Sequence, residues 1–315
     1  MAFADIRLNP SNQANQTVAV SIDMFYLKYL FNNLLLAMQL IREGQWRRVF
    51  AAIYARVYLR VWSGIFLLRR SGLASANPSP PNLRLSVQTD HPVAINSPDH
   101  LVPHGTKYNN STNRKFVLLM NRLFRQRFPT GPLACMDLGC SGGQLIADFA
   151  SIRWIAVGIE GSDYSLKHQR ANWRTLAGTN LFTSDITKPF QVRLGTEKLK
   201  FHLITAWEVM EHIEKNDLEA VFDNIRSHLA EGGFFIASTS SSTGVVNGLE
   251  LHQTRMKNSE WRAFIAARYP DLEAADLGLK IHQYVRFDYG EASFLVYRKR
   301  AADMQPRVER HSASA

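Results

Sequence analysis

In the stretch MDLGCSGGQLIADFA, from Met136 to Ala150, a short apolar run ends in Asp137. Gly139, Cys140, Ser141, Gly142 and Gly143 follow before an apolar pattern resumes at helical spacing. Small residues in such a turn let backbone approach a bound molecule, because no bulky side chain intervenes. An acid beside the turn can accept hydrogen bonds from ammonium or hydroxyl groups. More acids end the apolar runs that come later. Glu160 and Gly161 do so in AVGIEGSDYSL, Asp185 and Ile186 in LFTSDITKPF, and Glu208, Glu211 and His212 in LITAWEVMEHI. His252 lies beyond one further run, in ELHQTRMKNSEW. Three acids around a side-chain-poor turn suit a ligand rich in amine and hydroxyl donors. A histidine near them suits the removal of a proton from a reacting hydroxyl.

These residues need a scaffold that gathers strand ends. From Leu133 onward, apolar runs at strand length alternate with helical patterns. The runs predict strands at Ala134–Leu138, Ile155–Ile159, near Leu181, at His202–Ala206 and at Phe234–Ser238. A final pair is expected near Tyr284–Phe287 and Ser293–Tyr297, with Asp288-Tyr289-Gly290 as the turn of an antiparallel hairpin. Such alternation implies an α/β fold, a doubly wound and mostly parallel seven-stranded sheet with helices on both faces. Ligands of such sheets bind at the carboxyl ends of the strands, where the acids above fall.

The segment Leu133–Lys299 resembles the class I S-adenosylmethionine-dependent methyltransferases. The resemblance rests on Asp137, on the turn Gly139-Cys140-Ser141-Gly142-Gly143, and on acids after the second and third strands. Ser141 replaces the usual middle glycine of that turn. The resemblance implies a Rossmann-like fold with S-adenosyl-L-methionine as cofactor. It implies that Asp137, Gly139, Cys140, Ser141, Gly143, Glu160, Gly161, Asp185, Ile186 and Glu208 hold the cofactor, the turn lying at the methionine part, with Asp137 accepting from the ammonium, Glu160 from the ribose hydroxyls and Asp185 from the adenine amine, Ile186 beside the ring. On the acceptor side it leaves His212 and His252 as alternative bases, with Glu211 beside them. A dehydrogenase is disfavoured, since its fingerprint is Gly-x-Gly-x-x-Gly and an acid before the turn would repel a pyrophosphate.

Around this domain the chain divides into a basic helical extension (1–75), a Pro- and Asn-rich segment (76–110), the methyltransferase domain (111–300) and a tail (301–315). The formal net charge is +10, and the excess is uneven: Arg42 to Arg70 holds seven arginines against one acid, Glu43. Leu27, Phe31, Leu34, Met38 and Ile41 predict one amphipathic helix, and Trp46, Phe50, Ile53, Val57 and Val61 a second. Together they could dock on the domain, meet an assembly partner, or lie on an anionic membrane. The run Met24–Ile41 is interrupted by Lys28, Asn32, Asn33 and Gln39, which argues against a membrane span. No secretory signal pattern opens the chain, so a cytoplasmic protein is expected, with a peripheral place on the inner membrane face as an extension of that expectation. The two cysteines, Cys135 and Cys140, read as core residues of a reduced protein, and no zinc-type cluster or other metal site is indicated.

Nucleic acid is disfavoured as substrate. AWEVMEH lacks the Asn/Asp-Pro-Pro-Tyr/Phe of base amino-methyltransferases, and neither cysteine follows a proline as in cytosine enzymes. The segment DHLVPHGTKYNNSTNRKF is similar to one preceding the methyltransferase domain in enzymes of bacterial surface-polysaccharide clusters, which implies a sugar-containing or other small acceptor methylated on oxygen. A non-catalytic cofactor-binding scaffold in polysaccharide assembly, and an RNA ribose methyltransferase, stand as alternatives. His91, His100 and His104 lie in the same segment, within reach of a pocket above the sheet.

Overall fold

A computed structural model describes residues 46–278 and 294–300, together with Arg42 and Gly44. Two compact units emerge, Met1–Tyr58 and Leu59–Ala315. The first predicted helix, the strand near Tyr284–Phe287, its turn and the tail lie outside the described residues.

Twelve strands are described: β1 Leu85–Thr89, β2 Ala134–Leu138, β3 Ile155–Glu160, β4 Leu181–Thr183, β5 Phe190–Leu194, β6 Glu197–Lys198, β7 Phe201–Trp207, β8 Leu229–Ser238, β9 Val245–Val246, β10 Leu249–Glu250, β11 Leu272–Ala274 and β12 Phe294–Lys299. Nine helices accompany them: α1 Trp46–Ala76, α2 Pro98–Leu101, α3 His104–Tyr108, α4 Arg114–Arg127, α5 Gln144–Ser151, α6 Tyr164–Lys167, α7 Trp173–Leu176, α8 Leu218–His228 and α9 Asn258–Arg268.

Seven strands make the main sheet, in the order β11-β12-β8-β7-β2-β3-β4. β2 pairs in parallel with both β3 and β7, and β3–β4 and β7–β8 are parallel too. β12 runs antiparallel to β8, and β11 antiparallel to β12. The fold is therefore a Rossmann-like, mostly parallel sheet with an antiparallel edge. Among the described residues the outer strand of that edge is β11, which the sequence did not single out.

Strand order reverses at β2, between β3 on one side and β7 on the other, so a crevice opens beyond the carboxyl ends of these three strands. β2 and β3 are buried along their whole length, as parallel strands covered on both faces must be. Two apolar layers flank the sheet. One gathers Met136, Ile204, Phe222, Phe235 and Trp261; the other gathers Phe116, Phe124, Phe149, Trp154 and Trp173. Phe66 of α1 joins the second layer, and Asn77 fastens the end of that helix by donating to Asn121 Oδ1 at 2.9 Å and to the Ile152 carbonyl at 2.6 Å.

The Pro- and Asn-rich segment carries a strand. β1 pairs antiparallel with β5, in register from Leu85 opposite Leu194 to Thr89 opposite Phe190, and β6 completes a three-stranded flap. This flap starts an arm, residues 90–110, that crosses the carboxyl end of the main sheet.

Candidate active site

The turn after β2 is tightly built. Gly139 and Cys140 both donate to the Ile159 carbonyl, at 2.8 and 3.2 Å, which ties the turn to β3. Gly139 has φ +68° and Gly143 φ +79°, a region that favours glycine. A Cβ on Gly139 would run into Val209 Cγ2, and one on Gly143 would lie 2.5 Å from Leu181 Cδ1. In this structure the chain's own side chains thus fill the space those glycines leave.

Ser141, at the position where glycine is usual, adopts φ +48°. Its hydroxyl has a use that explains a serine there: it lies 2.7 Å from the Asn109 carbonyl, to which it donates, and accepts from Arg170 Nη2 at 3.1 Å. Arg170 also donates to the Asn109 carbonyl. The turn therefore holds the arm.

Three further contacts fix the arm over the strand ends. Asp185 N donates to the His91 carbonyl and Ala94 N to the Gly161 carbonyl, each at 2.9 Å. Thr106 Oγ1 lies 3.4 Å from Glu160 Oε1. Beneath the arm lies a cavity of about 870 Å3. Gly139, Ser141, Glu160, Gly161, Asp185, Ile186, Glu208 and His212 all border it. His91 borders it as well; His100 and His104 do not. A smaller cavity of about 310 Å3 shares Asn109, Gly139, Ser141 and Trp207 with the first, and is bordered by Asp137, Cys140 and Asn113. The carboxylates expected to share one pocket thus border two adjoining compartments, with the glycine turn common to both.

The acids differ in how they are held. Asp137 is 4% exposed, and its Oδ1 accepts from Thr205 Oγ1 at 2.6 Å. Burial pushes its pKa up to about 7, against the pull of the Thr205 hydroxyl and with a further push from Glu160. Glu160 accepts from Ser141 N at 2.6 Å and Ser162 N at 3.3 Å. Burial raises its pKa, and the two backbone N–H groups pull it back. No lysine or arginine forms an ion pair with either acid among the described residues. Asp185 Oδ1 accepts from Thr187 N and Oγ1, at 2.9 and 2.7 Å, and so shapes the loop after β4. Cys140 packs its sulfur where a Cβ on Gly158 would stand, and burial pushes its thiol well up. Both cysteines are free and buried.

After β7 the chain turns abruptly. Glu208 takes φ +55°, a conformation costing a glutamate roughly 1–2 kcal/mol, and its N–H donates to Ser238 Oγ at 3.0 Å. A short 3-10 turn, Met210–His212, follows. His212 Nδ1 lies 2.8 Å from Asp99 Oδ2 on the arm, a close ion-pair contact without the alignment of a good hydrogen bond. Burial pulls the His212 pKa down, but Asp99, Glu211 and Glu208 outweigh it and the net direction is up. Glu211 is fully buried, and burial, then Glu208, raises it to about 8.

His252 comes from forty residues away, yet its ring centroid lies 4.9 Å from that of His212. Thr254 explains the meeting: its N–H donates to the Glu211 carbonyl at 2.9 Å and its hydroxyl to the Ile213 carbonyl at 2.7 Å. Glu250 Oε1 shapes the loop by accepting from Gly244 N and His252 N, at 2.7 and 2.9 Å. Thr205, Asp99, Asn109, Thr106, Arg170 and Thr254 were not singled out from the sequence. Asp99, Thr106 and Asn109 nevertheless lie in the marked stretch DHLVPHGTKYNN, Thr205 in LITAWEVMEHI and Thr254 in ELHQTRMKNSEW, and Arg170 lies outside all of them.

The sequence profile of a methyltransferase domain family matches residues 108–284, more than half of the 315-residue chain. No curated protein matches the chain. Among solved structures, an amino pentose methyltransferase of calicheamicin biosynthesis from Micromonospora echinaspora is 18% identical, with 63% of this chain and 95% of that one covered and a TM-score of 0.41. A sugar N-methyltransferase from Streptoalloteichus is 17% identical, covering 64% and 92%, with a TM-score of 0.43. A magnesium protoporphyrin IX methyltransferase from Synechocystis is 18% identical, covering 64% and 86%, with a TM-score of 0.39. By its profile match over residues 108–284, the chain belongs to the methyltransferase domain family, the class I enzymes whose cofactor is S-adenosyl-L-methionine.

Proposed function

We propose that this protein transfers a methyl group to a hydroxyl oxygen of a sugar-containing or other small polar acceptor. The observation that carries the reading is the cavity of about 870 Å3 that Glu160, Asp185, Glu208, His212 and Asp99 all border. Pockets of that size suit small ligands rather than macromolecules. The residues present fit the cofactor: Asp137 and Glu160 are buried acids that no ion pair neutralises among the described residues, beside a turn that borders both compartments. Asp137 would accept from the ammonium, Glu160 from the ribose hydroxyls, and Asp185 from the adenine amine, with Ile186 against the ring.

S-adenosylmethionine supplies, when bound, a methyl group on a sulfonium. The chain's own contribution is mainly position, worth up to about 7–11 kcal/mol of barrier in favourable cases. The arm excludes water by covering the strand ends. The cluster of Glu211, His212 and His252 would take the acceptor's proton as the oxygen attacks, an effect worth roughly a hundredfold or more. The border of the cavity favours a hydroxyl-rich acceptor, because Asp90, Asn96 and Asp99 on it offer oxygens to hydroxyl donors. Those acids would repel a phosphate backbone, which weighs against RNA.

The test is a pair of measurements. Glu160→Ala should weaken S-adenosylhomocysteine binding by at least about tenfold in calorimetry, the loss of a buried charged hydrogen-bond pair, while the far-UV spectrum stays native. Wild-type protein with labelled cofactor should then label uncharged sugars and glycosides as alkali-stable ethers. Unchanged affinity in the variant removes the ribose assignment, and label found solely on nitrogen removes O-methylation.

We further propose that the first unit brings the enzyme to an anionic membrane surface. Trp46, Phe50, Ile53 and Val57 recur at helical spacing on α1 and are all at least half exposed, while Arg42 and Arg56 are exposed beside them. α1 contains no acidic residue. An exposed apolar stripe with basic flanks complements anionic headgroups. No helix among the described residues is long and apolar enough to cross a membrane.

A further inference from the structure

Glu211, His212 and His252 each offer a ligand atom, and the three atoms lie within 4.8 Å of one another. Two features of the surroundings go beyond that proximity. First, Glu211 is fully buried and neither carboxylate oxygen has a hydrogen-bond partner. A buried acceptor without a donor costs free energy, and here a second carboxylate, Glu208, stands beside it. Second, both imidazoles are engaged through Nδ1 from outside: His212 Nδ1 is 2.8 Å from Asp99 Oδ2, and His252 Nδ1 is 2.8 Å from the Ser242 carbonyl. Nε2 is the nitrogen left on each ring. Metal-ligating histidines are held in this way, with the second nitrogen turned to a carboxylate or a backbone carbonyl.

We infer that Glu211, His212 and His252 form a binding site for a divalent first-row cation at the acceptor end of the cleft. Two imidazoles and one carboxylate suit zinc, cobalt or manganese, and leave coordination positions open. A tetrahedral ion with bonds of about 2.1 Å sets its ligands roughly 3.4 Å apart, so binding draws the three atoms inward by about an ångström. The ion would answer both unpartnered Glu211 oxygens and offset Glu208. His212 borders the main cavity, so an open position there could receive the acceptor oxygen and orient it; with the ion bound the two imidazoles are ligands rather than bases, and the acceptor's proton would leave to the Glu208 carboxylate, which borders the same cavity. Asp99 is then a positioning residue, acting through His212. This role in catalysis rests on the methyltransferase reading; the binding of the ion does not.

The experiment is metal binding by the full chain, stripped with chelator and dialysed, using zinc, cobalt and manganese alone. One equivalent per chain should bind, with a rise in Tm, and cobalt should give a visible d–d spectrum. His252→Gln is the main variant, because His252 is part-exposed on a loop and its loss should leave the fold intact. It should weaken binding by at least about tenfold, and Asp99→Asn should weaken it about 10–100-fold. S-adenosylhomocysteine affinity should stay within about twofold in His252→Gln. Failure of all three metals to bind the wild type, or unchanged metal affinity in His252→Gln, overturns the inference. Either failure with cofactor binding intact leaves the methyltransferase reading standing, so the two ideas fail separately.

Discussion

Asp137 is a buried acid that no cationic side chain neutralises among the described residues. Its carboxyl sits against Thr205, with Cys135 and Cys140 nearby and Glu160 as the nearest acid, and its pKa is raised to about 7. If Asp137 accepts from the cofactor's ammonium, binding favours its charged form. Protons must then leave below pH 7, and affinity should fall as pH falls, approaching tenfold per unit well below the pKa. Isothermal titration with S-adenosylhomocysteine should show Kd tightening from pH 6 to pH 8 and levelling above. Asp137→Asn should bind more weakly at pH 8 and lose the dependence. A flat wild-type profile would detach Asp137 from the ammonium. Legibility also divides at this scale. Asp137, Glu160 and Asp185 could be read from the sequence because each closes an apolar run, and strand ends are where a parallel sheet presents its ligands. Thr205, which holds Asp137, could not: a threonine inside a buried strand looks like any β-branched residue.

At the scale of elements, the parallel strands were readable as short apolar runs between helical patterns, and β2 matches its predicted bounds from Ala134 to Leu138. The flap was missed although its signal was present. Leu85, Val87 and Thr89 alternate, as do Phe190, Val192 and Leu194, and Gly195-Thr196 turn the chain. The prolines at 78, 80 and 81 drew attention to a linker instead. The pairing of His212 with His252 was hidden for another reason: it depends on Thr254 docking on backbone carbonyls, and side chain to backbone contacts leave no periodic trace. One such contact carries a prediction. His228 ends α8, is fully buried, accepts from Val192 N at 3.2 Å, and shares Nδ1 with the Asn224 carbonyl at 2.8 Å. It thereby fastens α8 to β5 as a neutral imidazole, and burial depresses its pKa to about 4. Between pH 6.5 and 4 the unfolded chain holds a proton that the folded chain does not. This contribution is therefore intact above pH 6.5 and is lost as pH falls towards 4, by roughly 3 kcal/mol in total. Urea unfolding at pH 7 and pH 5 should show that loss developing, and His228→Gln should remove its share of the slope. Parallel slopes in the two proteins would mean that His228 is not the group concerned.

For the molecule as a whole, the question is why a methyltransferase carries a net charge of +10, six of it between Arg42 and Arg70. The cleft explains none of it, since its border carries seven acids, Asp90, Asp99, Glu160, Asp185, Glu208, Glu214 and Asp217, against one lysine, Lys188. α1 has six arginines and no acid, and its exposed stripe of Trp46, Phe50, Ile53 and Val57 has no use in a freely diffusing domain. Each basic residue near an anionic leaflet contributes about 1 kcal/mol, and buried aromatic and aliphatic side chains add to it. A surface-bound enzyme would meet a sugar acceptor attached to lipid without having to extract it. The full chain should therefore sediment with vesicles containing phosphatidylserine and stay in the supernatant with neutral vesicles. Raising salt should weaken the binding, because headgroup charges are screened beyond about 8 Å at physiological ionic strength. Replacing Phe50 and Ile53 with serine should release the protein while leaving S-adenosylhomocysteine affinity unchanged, as neither residue borders the cleft. Equal sedimentation of this double variant and the wild type would show that charge alone accounts for the binding. No sedimentation of the wild type at low salt would assign the stripe to another protein surface instead.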